Sequence, residues 1–81
     1  MIEVYLYGNL KDIVEKKNPD VTSIMTYEFV EGESFQDCLS RIGLKMTDVG
    51  NCYINRDLAE PDTIIHDRDS LELNPIEKNP I

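Results

Sequence analysis

Tryptophan is absent from this chain, histidine occurs once, and cysteine occurs twice. Positive charge is scarce. Eight Lys and Arg stand against sixteen Asp and Glu, a formal net charge of -8 over 81 residues. A nucleic-acid footprint needs clustered positive charge, so this balance argues against a nucleic-acid partner. It argues equally against an anionic membrane surface. No run approaches the roughly 20 apolar residues of a membrane span. The start, Met1-Ile2-Glu3-Val4, lacks the basic region and apolar stretch of a secretory signal. Cytoplasm is therefore the expected compartment. Cys38 and Cys52 lack a CxxC spacing, which argues against a disulfide framework and leaves two buried thiols as the expectation. Together with His66 they match no structural zinc pattern. No D-x-D-x-D-G calcium loop, Ser-His-Asp set, Walker motif or Gly-rich phosphate loop is present. Neither catalysis, a cofactor nor a metal is expected.

What is there reads as one small globular domain. A chain of this length buries roughly 60 % of its unfolded surface and can hold one core. Ile2, Val4 and Leu6 alternate with Glu3, Tyr5 and Tyr7, the period-two pattern of a strand with one face inward. Asn9 is placed to cap a turn of helix carrying Leu10, Ile13 and Val14 on one face. A second strand is predicted over about Met25 to Glu31, long enough after the first to pair with it antiparallel. Ser34 then opens the clearest element. Phe35, Cys38, Leu39 and Ile42 fall at i, i+3, i+4 and i+7, with Asp37 near the start and Arg41 near the end. Gly43 stands where a left-handed residue closes a helix, and Leu44 follows to touch Leu39. Cys52 to Ile54 is a short strand, and Asn55-Arg56-Asp57 a turn. Leu58 is expected to return to the core. His66-Asp67-Arg68-Asp69 is another turn, with His66 solvated, and Leu71 and Leu73 mark the last strand before Pro75. The order β-β-α-β-β predicts an α+β fold with the helix on one sheet face. The expected core is Ile2, Val4, Leu6, Phe29, Phe35, Leu39, Ile42, Ile54, Ile65, Leu71 and Leu73.

Four segments in this order resemble one known family. Val4-Tyr5-Leu6-Tyr7-Gly8-Asn9-Leu10-Lys11 is similar to a strand followed by "F-G-x-L-R". Glu31-Gly32-Glu33-Ser34-Phe35-Gln36-Asp37-Cys38-Leu39 is similar to "x-G-x-T-V-x-D-L-L". Tyr53-Ile54-Asn55-Arg56 sits where "V-N-G" is usual, and Thr63 to Pro75 resembles "T-x-L-x-D-G-D-x-V-x-L-x-P". These are the patterns of the ubiquitin-like β-grasp sulfur carriers, the MoaD/ThiS group. It includes the small subunit of molybdopterin synthase and the carrier of thiamine biosynthesis. The resemblance implies a mixed four- to five-stranded sheet on one main helix over residues 1–75, and a tail over 76–81. In that family the tail ends in Gly-Gly, whose carboxylate is adenylated by an activating enzyme and converted to a thiocarboxylate. Here the corresponding residues are near Lys78 and Asn79, Pro80 stiffens the segment, and the last glycine is Gly50. Arg56 and Arg68 also replace usual turn glycines. The resemblance therefore implies a non-catalytic protein-binding module that does not carry sulfur by the usual tail. The alternative is a divergent carrier or the small subunit of a synthase-like complex. The implied partner is a protein, such as an activating-enzyme-like chain or a synthase large subunit.

Two groups of residues are candidates for such contacts. Tyr5, Tyr7 and Tyr53 fall on the outward side of their strands and would form an aromatic patch if those strands are neighbours. Asp57 to Glu72 holds six acids and one base, Arg68. Within it, Asp67, Asp69 and Glu72 are expected on an acidic docking face for a basic partner.

Overall fold

In the computed structural model, which describes residues 1–76, the chain folds as α+β with two helices and a mixed five-stranded sheet. The elements are β1 (Ile2–Leu6), α1 (Leu10–Glu15), β2 (Ile24–Tyr27), α2 (Phe35–Ile42), β3 (Val49–Ile54), β4 (Asp57–Leu58) and β5 (Ser70–Pro75), with a 3₁₀ turn at Met46–Asp48. The sheet order is β2-β1-β5-β3-β4. β1 pairs antiparallel with β2 and parallel with β5, while β3 pairs antiparallel with both β5 and β4. The first and last strands thus lie side by side at the centre.

Alternation along each strand sorts the two faces. Ile2, Val4 and Leu6 of β1, Leu71 and Leu73 of β5, and Cys52 and Ile54 of β3 are all buried. They join Phe35, Cys38, Leu39 and Ile42 of α2 in one cluster. The helix begins and ends as its residues dictate. The Ser34 hydroxyl accepts from the Asp37 N–H at 3.2 Å, satisfying one of the unpaired donors of the first turn. Gly43, at φ 108°, turns left-handed, and the Leu44 N–H donates back to the Leu39 carbonyl at 2.9 Å. Leu10 and Val14 of α1 are fully buried and extend the cluster, although the Asn9 side chain makes no cap.

Two expectations about the sheet need correction. β2 stops at Tyr27, four residues short, so Phe29 is only half-buried against the core. Leu58 does not return inward. It sits on the two-residue edge strand β4 and is 59 % exposed. Both turn arginines adopt positive φ, 72° at Arg56 and 69° at Arg68, with Asn55 at 51°. The turns therefore keep the geometry that glycine would favour, with side chains in its place. The two cysteines are buried and unpaired. Residues 77–81, including the positions of the expected glycine pair, lie outside the described residues.

Candidate functional site

One face of the sheet carries α2; the opposite face carries no helix among the described residues. Strand register writes the composition of that open face. Tyr5 of β1 stands opposite Ile24 of β2 on one side and Glu72 of β5 on the other. Glu72 stands opposite Tyr53 of β3, and Tyr53 opposite Leu58 of β4. A single row, Ile24–Tyr5–Glu72–Tyr53–Leu58, thus crosses all five strands. Ile24 and Leu58, at its ends, are 57 % and 59 % exposed. The row beside it is polar, with Thr26, Glu3 and Ser70 in register.

The tyrosines share this face but are not adjacent. β5 lies between β1 and β3, so Glu72 separates Tyr5 from Tyr53. Two strand spacings set their backbones roughly 10 Å apart. Tyr7, one residue beyond β1, is exposed, and its N–H donates to the Leu73 carbonyl at 3.1 Å. Two shallow hollows open on this side, one of them against Glu72. One, of about 410 Å³, is lined by Tyr5, Asn55, Arg56, Ser70 and Glu72. The other, of about 560 Å³, is lined by Tyr53, Asn74, Pro75, Ile76, Gly50 and Asn51. The second sits at a bulge in β3, where the pairing with β5 shifts between Val49 and Cys52. Gly50 is required there, because a Cβ on it would stand 2.8 Å from the Pro75 carbonyl oxygen.

The acids of Asp57–Glu72 do not form one surface. Asp69 is only 7 % exposed. Its carboxylate accepts from the His66 N–H and from the Asn55 side-chain amide, both at 2.8 Å. The Asn55 side-chain carbonyl in turn accepts from the Ser70 N–H at 3.0 Å. Asp69 is therefore the tie between two turns rather than a surface charge. Asp67 is exposed and accepts from the Met1 ammonium at 2.8 Å, which holds its carboxyl below the usual range. The segment containing Glu60 and Asp62 is tied to the start of α2, since the Phe35 and Gln36 N–H groups donate to the carbonyls of Thr63 and Pro61. Those acids thus lie toward the helix side, and Glu72 alone of Asp67, Asp69 and Glu72 stands on the open face.

A second ionic feature was not visible in the sequence. Arg41 grips Glu33 with two hydrogen bonds, Nε to Oε2 at 3.0 Å and Nη2 to Oε1 at 2.9 Å, and reaches the Glu28 carbonyl at 2.8 Å. This fork fastens the loop after β2 onto α2 and leaves the open face untouched. Burial pushes the Cys38 thiol up to about 11, with the Glu33 carboxylate adding to the effect. A thiol held protonated in this way is a poor nucleophile. Among the described residues, no three His, Cys, Asp or Glu side chains are grouped to hold a metal, and no helix is long and apolar enough to cross a membrane. Comparison with protein-family models, with curated proteins and with solved structures gave no match.

Proposed function

We propose that this chain is a ubiquitin-like β-grasp module that binds another protein through the open face of its sheet and has no catalytic chemistry of its own. The observation that carries the reading is the row Ile24–Tyr5–Glu72–Tyr53–Leu58, which crosses the whole sheet on the side without a helix. Tyrosine offers large amphipathic area at low entropic cost, which suits an interface anchor. The sheet order, with β1 parallel to β5 at the centre and α2 across one face, supports the β-grasp part of the reading. So does the resemblance of its four segments to the sulfur carriers. Lys78 and Asn79 where that family places glycines favour binding over sulfur transfer, because a side chain at each position obstructs passage through a narrow tunnel. The test is capture of protein from the source cell on immobilised wild type and on Tyr53→Ala in parallel. A partner held by wild type and lost by a folded Tyr53→Ala supports the face. Equal recovery on both removes it.

A divergent sulfur carrier is the second reading, favoured by the way β5 runs out at Pro75 beside an open hollow. Incubation with ATP, a sulfur donor and a carrier-activating enzyme, followed by intact mass, separates the two. The binding-module reading expects no change. A gain of about 16 Da, sulfur replacing a carboxylate oxygen, establishes the carrier instead.

A further inference from the structure

The centre of the open face is charged, and among the described residues no side chain pairs with that charge. Glu72 is half-buried in the middle strand, flanked by Tyr5 and Tyr53, and makes no ion pair or side-chain hydrogen bond among the described residues. An apolar partner laid over this row would strip water from a carboxylate and return nothing, which is costly. A partner that presents a cation there recovers the charge. The same cation is attracted by phenol ring faces. Whole-molecule charge acts in the same direction, since -8 draws a basic surface toward the domain before contact. Spacing agrees as well: tyrosine backbones roughly 10 Å apart leave width for one planar or tetrahedral cation above the carboxylate.

We propose that the centre of this face receives an arginine or lysine side chain of a partner protein, held by Glu72 and flanked by Tyr5 and Tyr53. Ile24 and Leu58 cover the apolar surroundings of that anchor at the two ends of the row. Arg56, which lines the hollow on the Tyr5 side together with Glu72, repels a cation on that side and directs the incoming side chain toward Tyr53. This inference rests on the open face being the docking surface.

The test uses amide chemical shifts of the whole chain, titrated with three small probes. N-acetylarginine amide carries the cation, N-acetylcitrulline amide has nearly the same shape without charge, and N-acetylleucine amide is apolar. The arginine probe is expected to shift the amides of Tyr5, Glu72 and Tyr53 saturably, and to bind about fivefold more tightly than the citrulline probe. In Glu72→Gln that preference disappears. Equal binding of the arginine and citrulline probes to wild type overturns the proposal. So do shifts spread alike over exposed acids such as Asp57, Asp62 and Asp67, or an arginine preference that survives Glu72→Gln. The leucine probe distinguishes the two levels. Face shifts with leucine but no preference for arginine sink the cationic anchor and leave the docking face. No face shift with any probe sinks both.

Discussion

Arg68 and Arg56 show most plainly what single residues contribute. Both hold a left-handed backbone at which an L side chain costs roughly 1–2 kcal/mol. Arg68→Gly is therefore expected to raise stability by about 1 kcal/mol, the relief being partly offset by glycine's larger unfolded-state entropy. A urea midpoint unchanged or lowered by Arg68→Gly contradicts this. Asp69 acts in the opposite sense. It is buried and accepts two hydrogen bonds, so Asp69→Ala leaves the His66 N–H and the Asn55 amide without their acceptor. A loss of about 2 kcal/mol is expected, measured by the same unfolding experiment. The Tyr27 hydroxyl is buried and has no partner among the described residues. Tyr27→Phe removes an unsatisfied group while keeping the ring, and should stabilise by about 1 kcal/mol. Of these three effects, only the one at Arg68 was foreshadowed in the sequence, by the glycine that its position takes in the resembling pattern. His66-Asp67-Arg68-Asp69 reads as a solvated turn, and only the approach of Asn55, fourteen residues away along the chain, turns Asp69 into an interior group.

Elements are legible in the sequence where start, face and stop depend on near neighbours. In α2, Ser34, the Phe35-Cys38-Leu39-Ile42 spacing and Gly43 each decide one local feature, and all three stand as expected. Alternation continues through Phe29, past the end of β2 at Tyr27. The pairing with β1 nevertheless ends at Ile2↔Tyr27, where β1 itself begins. β4 is an edge strand of two residues, and no pattern that short marks a face. The fork from Arg41 to Glu33 joins a helix to a loop eight residues back, too far for helical spacing to disclose. Beneath it, Cys38 gives α2 a pH signature. Its thiol is raised from 9.0 to about 11, so the fold favours the protonated form. Its contribution to stability is fully present below about pH 9 and falls as pH rises toward about 11. The urea midpoint should drop over that window, and drop less in Cys38→Ala. In the native protein Cys38 should resist alkylation at about pH 8, and it should react once the chain is unfolded. Rapid alkylation of the folded protein contradicts this account of the helix face.

At the scale of the whole molecule, the class of fold and ten of the eleven expected core residues followed from alternation and helical spacing. Phe29 is the exception. What could not follow was the order of strands. Nothing local tells β1 to lie beside β5, some 67 residues on, rather than beside β3. That one fact decides the site. It places Glu72 between Tyr5 and Tyr53 and converts an expected tyrosine patch into an aromatic row with a charged centre. It also divides the acidic segment, leaving Glu72 on the open face while Asp69 ties turns together and Glu60 and Asp62 follow the helix side. The scarcity of positive charge acquires a location as a result, since the charge missing from the centre of the face is the kind a partner would bring. The central claim is that this face is the docking surface, and Tyr53 tests it most directly. Tyr53 is half-exposed and stands outside the core cluster, so its truncation should leave the fold intact. Calorimetric titration of a captured partner into wild type and Tyr53→Ala is the measurement. The account predicts affinity weakened by more than about fivefold, over ~1 kcal/mol, at an unchanged urea midpoint. Equal affinity for the two proteins would contradict it.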